Sequence, residues 1–224
     1  MRTTFSLLMI SIFFFILLTL LGISKSDPDP LQDYCIADTT TPQKFFINGS
    51  PCINPALAVP SHFKTSVLSK PGDTRANPFG FNVTLTNIKN MPGVNTQGLT
   101  MGRVDIAADG VVPLHWHPRA SEMVLLLEGF VLVGFVDSSN RLFTQQLRPG
   151  DSFVFPRGLT HFLYNLDSSR PAWVLSGLNS QNPGAELVAL VSFETKPQIL
   201  DVVLRKTFQI SEQDVQRIRK NLGG

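Results

Sequence analysis

Cysteine, histidine and net charge are all scarce in this chain of 224 residues: it has two cysteines, four histidines and a formal charge of +2. Both excess positive charges, Arg2 and Lys25, fall within residues 1–26, which contain no acid, so the remainder is neutral. A neutral chain without a basic stripe is excluded as a nucleic-acid binder, because that affinity comes mainly from neutralising phosphates. Beyond the first two dozen residues no stretch is long and apolar enough to span a bilayer, and there is no internal repeat or low-complexity tract. At 43% hydrophobic and 16% charged the composition is that of a globular protein, of a length that suits one domain with an extension.

The one long apolar run, residues 5–21, is broken only by Ser6, Ser11 and Thr19, and is preceded by Arg2. Ser24-Lys25-Ser26 follows as a small-x-small cleavage pattern, and Asp27-Pro28-Asp29-Pro30 is an extended, accessible segment. Residues 1–26 therefore read as a secretory signal peptide cleaved after Ser26, with an uncleaved anchor as the alternative. In an oxidising compartment Cys35 and Cys52 most simply form one disulfide, the alternative being free or metal-binding thiols. Two glycosylation sequons also become relevant, at Asn48 and Asn82, the first weakened by Pro51.

Residues 27–75 are irregular and read as an N-terminal arm. From 76 to 195, short runs rich in Val, Leu and Phe recur between turn signals such as Asp137–Asn140, Gly150-Asp151 and Pro156-Arg157-Gly158. That rhythm predicts an all-β sandwich or barrel. In the extension 196–224, Val215, Ile218 and Leu222 fall at helical spacing after Ser211, a candidate N-cap, with Gly223 beyond the end.

Three of the four histidines lie in two compact segments. His115 and His117 are two apart, so on a strand they project from the same face, and Pro118 can turn the chain so that Glu122 approaches from the next strand. A turn at Pro156–Gly158 delivers His161. Three imidazoles and a carboxylate would leave one or two positions open on an octahedral ion. His62 reads as an ordinary histidine and Trp116 as core packing.

The joint spacing resembles the two cupin boxes of the germins and germin-like proteins of plants. Gly110, His115-x-His117-x4-Glu122 and Gly129 match the first box, with Asp109 where the family carries its glycine. Gly150-x5-Pro156-x-Gly158-x2-His161-x3-Asn165 matches the second. Ser26–Cys35, the paired cysteines and Asn179–Gly184 extend the likeness over nearly all of the mature chain. The resemblance implies an all-β, single-cupin jelly-roll barrel with an extended N-terminal arm and a short C-terminal helical tail. It further implies one Mn2+ per subunit on His115, His117, Glu122 and His161. Hexamers built as a trimer of dimers, glycosylation and residence in the apoplast and cell wall are also implied.

Three functions compete under that resemblance. Oxalate-oxidising germins carry two asparagines that this chain replaces with Gly102 and Val112, which argues against that activity. Superoxide dismutation, with a role in plant defence, needs only the redox ion, an open position and protons. A non-catalytic, wall-associated or receptor-like protein binding a small anionic ligand, such as an auxin-type carboxylate, is the third. On that reading Val111, Val112 and Leu114 would line an apolar mouth.

Overall fold

The computed structural model describes residues 33–41 and 49–223; the expected signal peptide at 1–26 and the Asn48 sequon lie outside the described residues. Ten strands form two antiparallel five-stranded sheets stacked as a jelly roll. The first sheet has the order β1-β2-β9-β4-β7: Phe81–Leu85, Thr100–Ile106, Ala172–Leu178, Glu122–Glu128 and Ser152–Phe155. The second runs β10-β3-β8-β5-β6: Glu186–Leu187, Val111–Trp116, His161–Asn165, Val131–Val136 and Leu142–Leu147. Side chains alternate across each strand, so Val104, Val124, Leu126 and Val174 of one sheet meet Val112, Val131, Val133 and Leu163 of the other in a single buried core. Gly129, at the turn between β4 and β5, has φ +102°, and a Cβ there would stand 2.4 Å from that of Ala172, so no other residue fits.

One irregularity positions the site. In β3, Val112 pairs with Leu163, but His115 pairs with His161, one residue out of step. Pro113 lies in the gap and has no N–H for the ladder, which makes it a natural place for a bulge. The extra residue changes the parity: Val112 and His115, three apart and otherwise on opposite faces, both point inward and are buried.

The arm runs in short 3-10 turns: Pro55–Leu57 and Pro60–Phe63 begin at proline, and Val67–Ser69 and Thr74–Ala76 lie against β1. Cys35 and Cys52 form the expected disulfide. Asn95, fully buried, accepts from the Ser50 amide at 3.0 Å and donates to the Ser50 carbonyl at 2.7 Å, joining the stapled segment to the barrel. Gly72 donates its amide to Asp105 at 2.8 Å, and Asp105 pairs with Arg103, whose guanidinium stacks 4.4 Å over Trp173.

The expected C-terminal helix is present as one of three α-helices among the described residues: α1 (Val188–Phe193), α2 (Asp201–Phe208) and α3 (Glu212–Leu222). Ser211 caps α3 with a reciprocal Ser211–Asp214 box, and Gly223 closes it in the left-handed region. The three helices share a second small core of Phe193, Leu204 and Val215. Buried Arg219 ties them together through the carbonyls of Phe193 and Ile199 and the carboxylate of Asp201.

Candidate metal centre

His115, His117, Glu122 and His161 are all buried, and their ligand atoms lie within 4.8 Å of one another. The second sheet and the loop after β3 supply the imidazoles: His115 is the penultimate residue of β3, His117 directly follows the strand and His161 opens β8. Glu122 comes from the first residue of β4 in the opposite sheet, so the cluster bridges the two layers.

The backbone orients every imidazole. His115 Nδ1 stands 2.7 Å from the carbonyl of Pro113, and His161 Nδ1 stands 2.8 Å from that of Leu159. His117 Nδ1 meets the carbonyl of Gly184, in a loop pinned by Arg119 through the carbonyls of Asn182 and Pro183. A carbonyl can only accept, so each Nδ1 must carry the proton and each Nε2 is left facing the common centre. Phe155 stacks on His161 at 4.3 Å, fixing the ring plane. Ser176, from β9, donates its hydroxyl to Glu122 Oε1, leaving Oε2 at 3.0 Å from His117 Nε2 and 3.2 Å from His161 Nε2.

This arrangement fits a cation. Without one, the contacts of His117 and His161 place an oxygen acceptor at both nitrogens, which would require two imidazolium ions around one carboxylate. A divalent ion removes the conflict: neutral rings keep Nδ1–H on the carbonyls and offer Nε2 lone pairs, while Glu122 offers Oε2. Ligands at about 2.1 Å from an ion put neighbouring donors roughly 3 Å apart, which is the spacing found here. The shifts of Glu122 and His115 agree with this, and that of His117 reflects the bare carboxylate beside it. Burial pushes the Glu122 carboxyl up, but hydrogen bonds from His117 and His161 outweigh it and hold the group well below the usual carboxylate range. Burial and the neighbouring His161 push His115 down to about 4, keeping it a neutral donor. Burial also pushes His117 down, but Glu122 overcomes that and raises it.

A chamber of about 400 Å³ opens beside the cluster. Of the three residues expected to make its mouth apolar, Val112 lines it, whereas Val111 and Leu114 do not; Leu114 is exposed because the bulge turns it outward. The apolar wall comes instead from Phe81, Val83 and Leu85 of β1, with Val104 and Leu163. Gly102 faces inward between Leu85 and Ser176. The spacing of the histidines points to four ligands but not to Ser176 or the three carbonyls; the Asn179–Gly184 segment is the only sequence signal that touches them. His62 is remote from the cluster, its Nδ1 accepting from the Val59 amide, and Trp116 is no part of it. Asn82 faces outward on β1, half-buried beside Gly72.

The cupin family matches residues 66–216. Germin-like protein subfamily 1 member 1 of Arabidopsis thaliana is 55% identical over 213 residues, covering 93% of this chain and 98% of its own. Germin-like protein 3-1 of Oryza sativa subsp. japonica is 56% identical over 204 residues, covering 89% and 91%. A solved structure of oxalate oxidase superposes with a TM-score of 0.83 at 38% identity, over 88% of this chain and 98% of that one. With its two sheets, its four converging ligand residues and these relatives, the chain belongs to the cupin family and, within it, to the germin-like proteins.

Proposed function

We propose that this germin-like protein holds one manganese ion per subunit on His115, His117, Glu122 and His161, dismutates superoxide, and does not oxidise oxalate. The observation that carries the proposal is the set of three Nε2 atoms and one carboxylate oxygen aimed at a common point by carbonyls and Ser176. The donor set by itself favours copper, nickel or zinc over manganese, so supply during folding selects the ion. Bound there, manganese supplies the electron exchange by which two superoxide anions and two protons become dioxygen and hydrogen peroxide. The chain's own residues fix the ligands and keep the approach narrow. A divalent ion beside one carboxylate leaves a single positive charge, which draws a small monoanion.

Oxalate fits poorly. Position 102 has no side chain and position 112 presents hydrocarbon, so the chamber lacks two amide donors. Two lost hydrogen bonds, at about 1–2 kcal/mol each, weaken positioning of the dianion by tens- to hundreds-fold. The leader, the sequons at Asn82 and Asn48 and the disulfide suit a glycoprotein secreted to the apoplast and cell wall, where hydrogen peroxide serves defence. Assembly as a hexamer, a trimer of dimers, would use the exposed apolar residues Leu200, just before α2, and Val202 and Val203 within it.

Elemental analysis per chain, followed by superoxide and oxalate assays, tests this reading. Close to one manganese per chain, dismutation abolished in His161→Ala, and dismutation retained in Gly102→Asn/Val112→Asn are expected. Dismutation that persists in metal-free His161→Ala would refute it. The apolar chamber favours one further reading, a non-catalytic site for a small carboxylate; saturable binding without turnover would select it.

A further inference from the structure

Leu85 and Gly102 are register partners across β1 and β2, and both face the interior. A Cβ built on Gly102 would stand 2.9 Å from Leu85 Cδ2 and 3.5 Å from Ser176 Cβ, the residue that holds Glu122. The leucine thus fills the volume that any side chain at position 102 would need. Val83, Val104, Val112 and Leu163 line the same chamber, its polar lining apart from the ligands being hydroxyls and amides such as Thr100, Asn87 and Asn182, and among the described residues no lysine or arginine lines it. We propose that Leu85 is a specificity-determining residue, which restricts the chamber to a monocarboxylate with a short apolar body. The proposal rests on the metal centre above and names the class of ligand it admits.

The physical reason is twofold. An ion balanced by Glu122 retains one positive charge, enough to neutralise one carboxylate and no more. A second carboxylate would meet no cation among the described residues, and against the hydrocarbon beside Leu85 it would lose water that the scattered hydroxyls and amides of the lining replace only in part, a cost far above that of burying a methyl group. An asparagine introduced at position 102 does not cure this by itself, because Leu85 stands where its amide must go.

Butyrate and succinate separate the alternatives, since succinate carries a carboxylate where butyrate ends in methyl. Each is titrated at pH 7 into the manganese-loaded full chain, following heat and the Mn(II) electron paramagnetic resonance spectrum. The proteins are the wild type, Gly102→Asn, Leu85→Ala and Leu85→Ala/Gly102→Asn, with metal content measured for each. Wild type should bind butyrate at least about tenfold more tightly than succinate. Gly102→Asn alone should leave succinate affinity within about threefold of wild type, whereas the double variant should gain about tenfold. Leu85→Val/Gly102→Asn, which keeps more of the packing, should fall between and serves if the alanine variants fail to fold. Equal binding of the two acids by metal-loaded wild type, or a full gain from Gly102→Asn alone, would overturn the proposal and leave the metal centre standing. A wild type that retains no manganese would overturn both.

Discussion

Ser176→Ala removes one hydroxyl from the barrel interior and leaves all four ligand residues in place. The hydroxyl donates to Glu122 Oε1, while Oε2 lies 3.0 and 3.2 Å from His117 and His161. Ser176 is 2% exposed and Glu122 5%, so water cannot freely replace the lost donor. A buried hydrogen bond to a charged group contributes about 1.5–3 kcal/mol. Loss of a partner that orients a metal ligand typically costs 10–100-fold in metal affinity, which corresponds to about 1.4–2.7 kcal/mol. The two approaches agree, and the manganese dissociation constant should rise by one to two powers of ten. Competition against a chelator of known affinity measures this directly, and thermal unfolding of the metal-free variant checks that the fold survives. A folded Ser176→Ala protein with wild-type manganese affinity would show that Glu122 is oriented by its two histidines alone. The centre would then be four convergent side chains and not a built site.

Removal of the metal should expose a pH dependence with two limbs. His115, pushed down to about 4, takes up its proton later in the folded than in the unfolded chain, so stability falls as pH drops from about 6.5 to 4, by roughly 3 kcal/mol in all. His117 is raised, so its contribution is fully present below its ordinary value and is lost as pH rises through the folded one. Glu122 is lowered, and its contribution disappears at still lower pH. Thermal melts of chelator-treated protein between pH 4 and 8 should therefore peak near neutrality, and His115→Asn should flatten the acid limb; a monotonic profile would contradict the assignment. Cys35→Ser/Cys52→Ser should cost about 3 kcal/mol by releasing the loop between the two residues, read as a lowered denaturant midpoint. Because Asn95 still grips Ser50, the barrel and its metal content should survive that change.

The four ligand residues were legible because strand parity and turn spacing are properties of the sequence itself: His115 and His117 share a face whatever surrounds them. The strands of the barrel were legible for the same reason. What surrounds the ligands was not. Leu85 and Gly102 meet only through the pairing of β1 with β2, and Ser176 reaches Glu122 only through the pairing of β9 with β4. Pro113 announces an irregularity without saying which neighbours it turns, so Leu114 reads as a wall residue although it is exposed. Only α3 carries a helical signature in the sequence; α1 lies inside the stretch expected to be β, and α1 and α2 are rich in Val and Phe, which favour helix weakly. Their helical state is set by packing on α3 around Phe193, Leu204 and Val215, and by the reach of Arg219.

The ligands divide between layers: three imidazoles belong to the second sheet and its loop, while the carboxylate and its serine belong to the first. An ion held among them is therefore a rivet through the sandwich, fastening two leaves that otherwise cohere by the contact of their apolar faces. The leaves could not part until the rivet was drawn, so loading the site would slow unfolding by more than the same affinity placed within one sheet. Durability would then be a consequence of where the chemistry sits, obtained without a larger core.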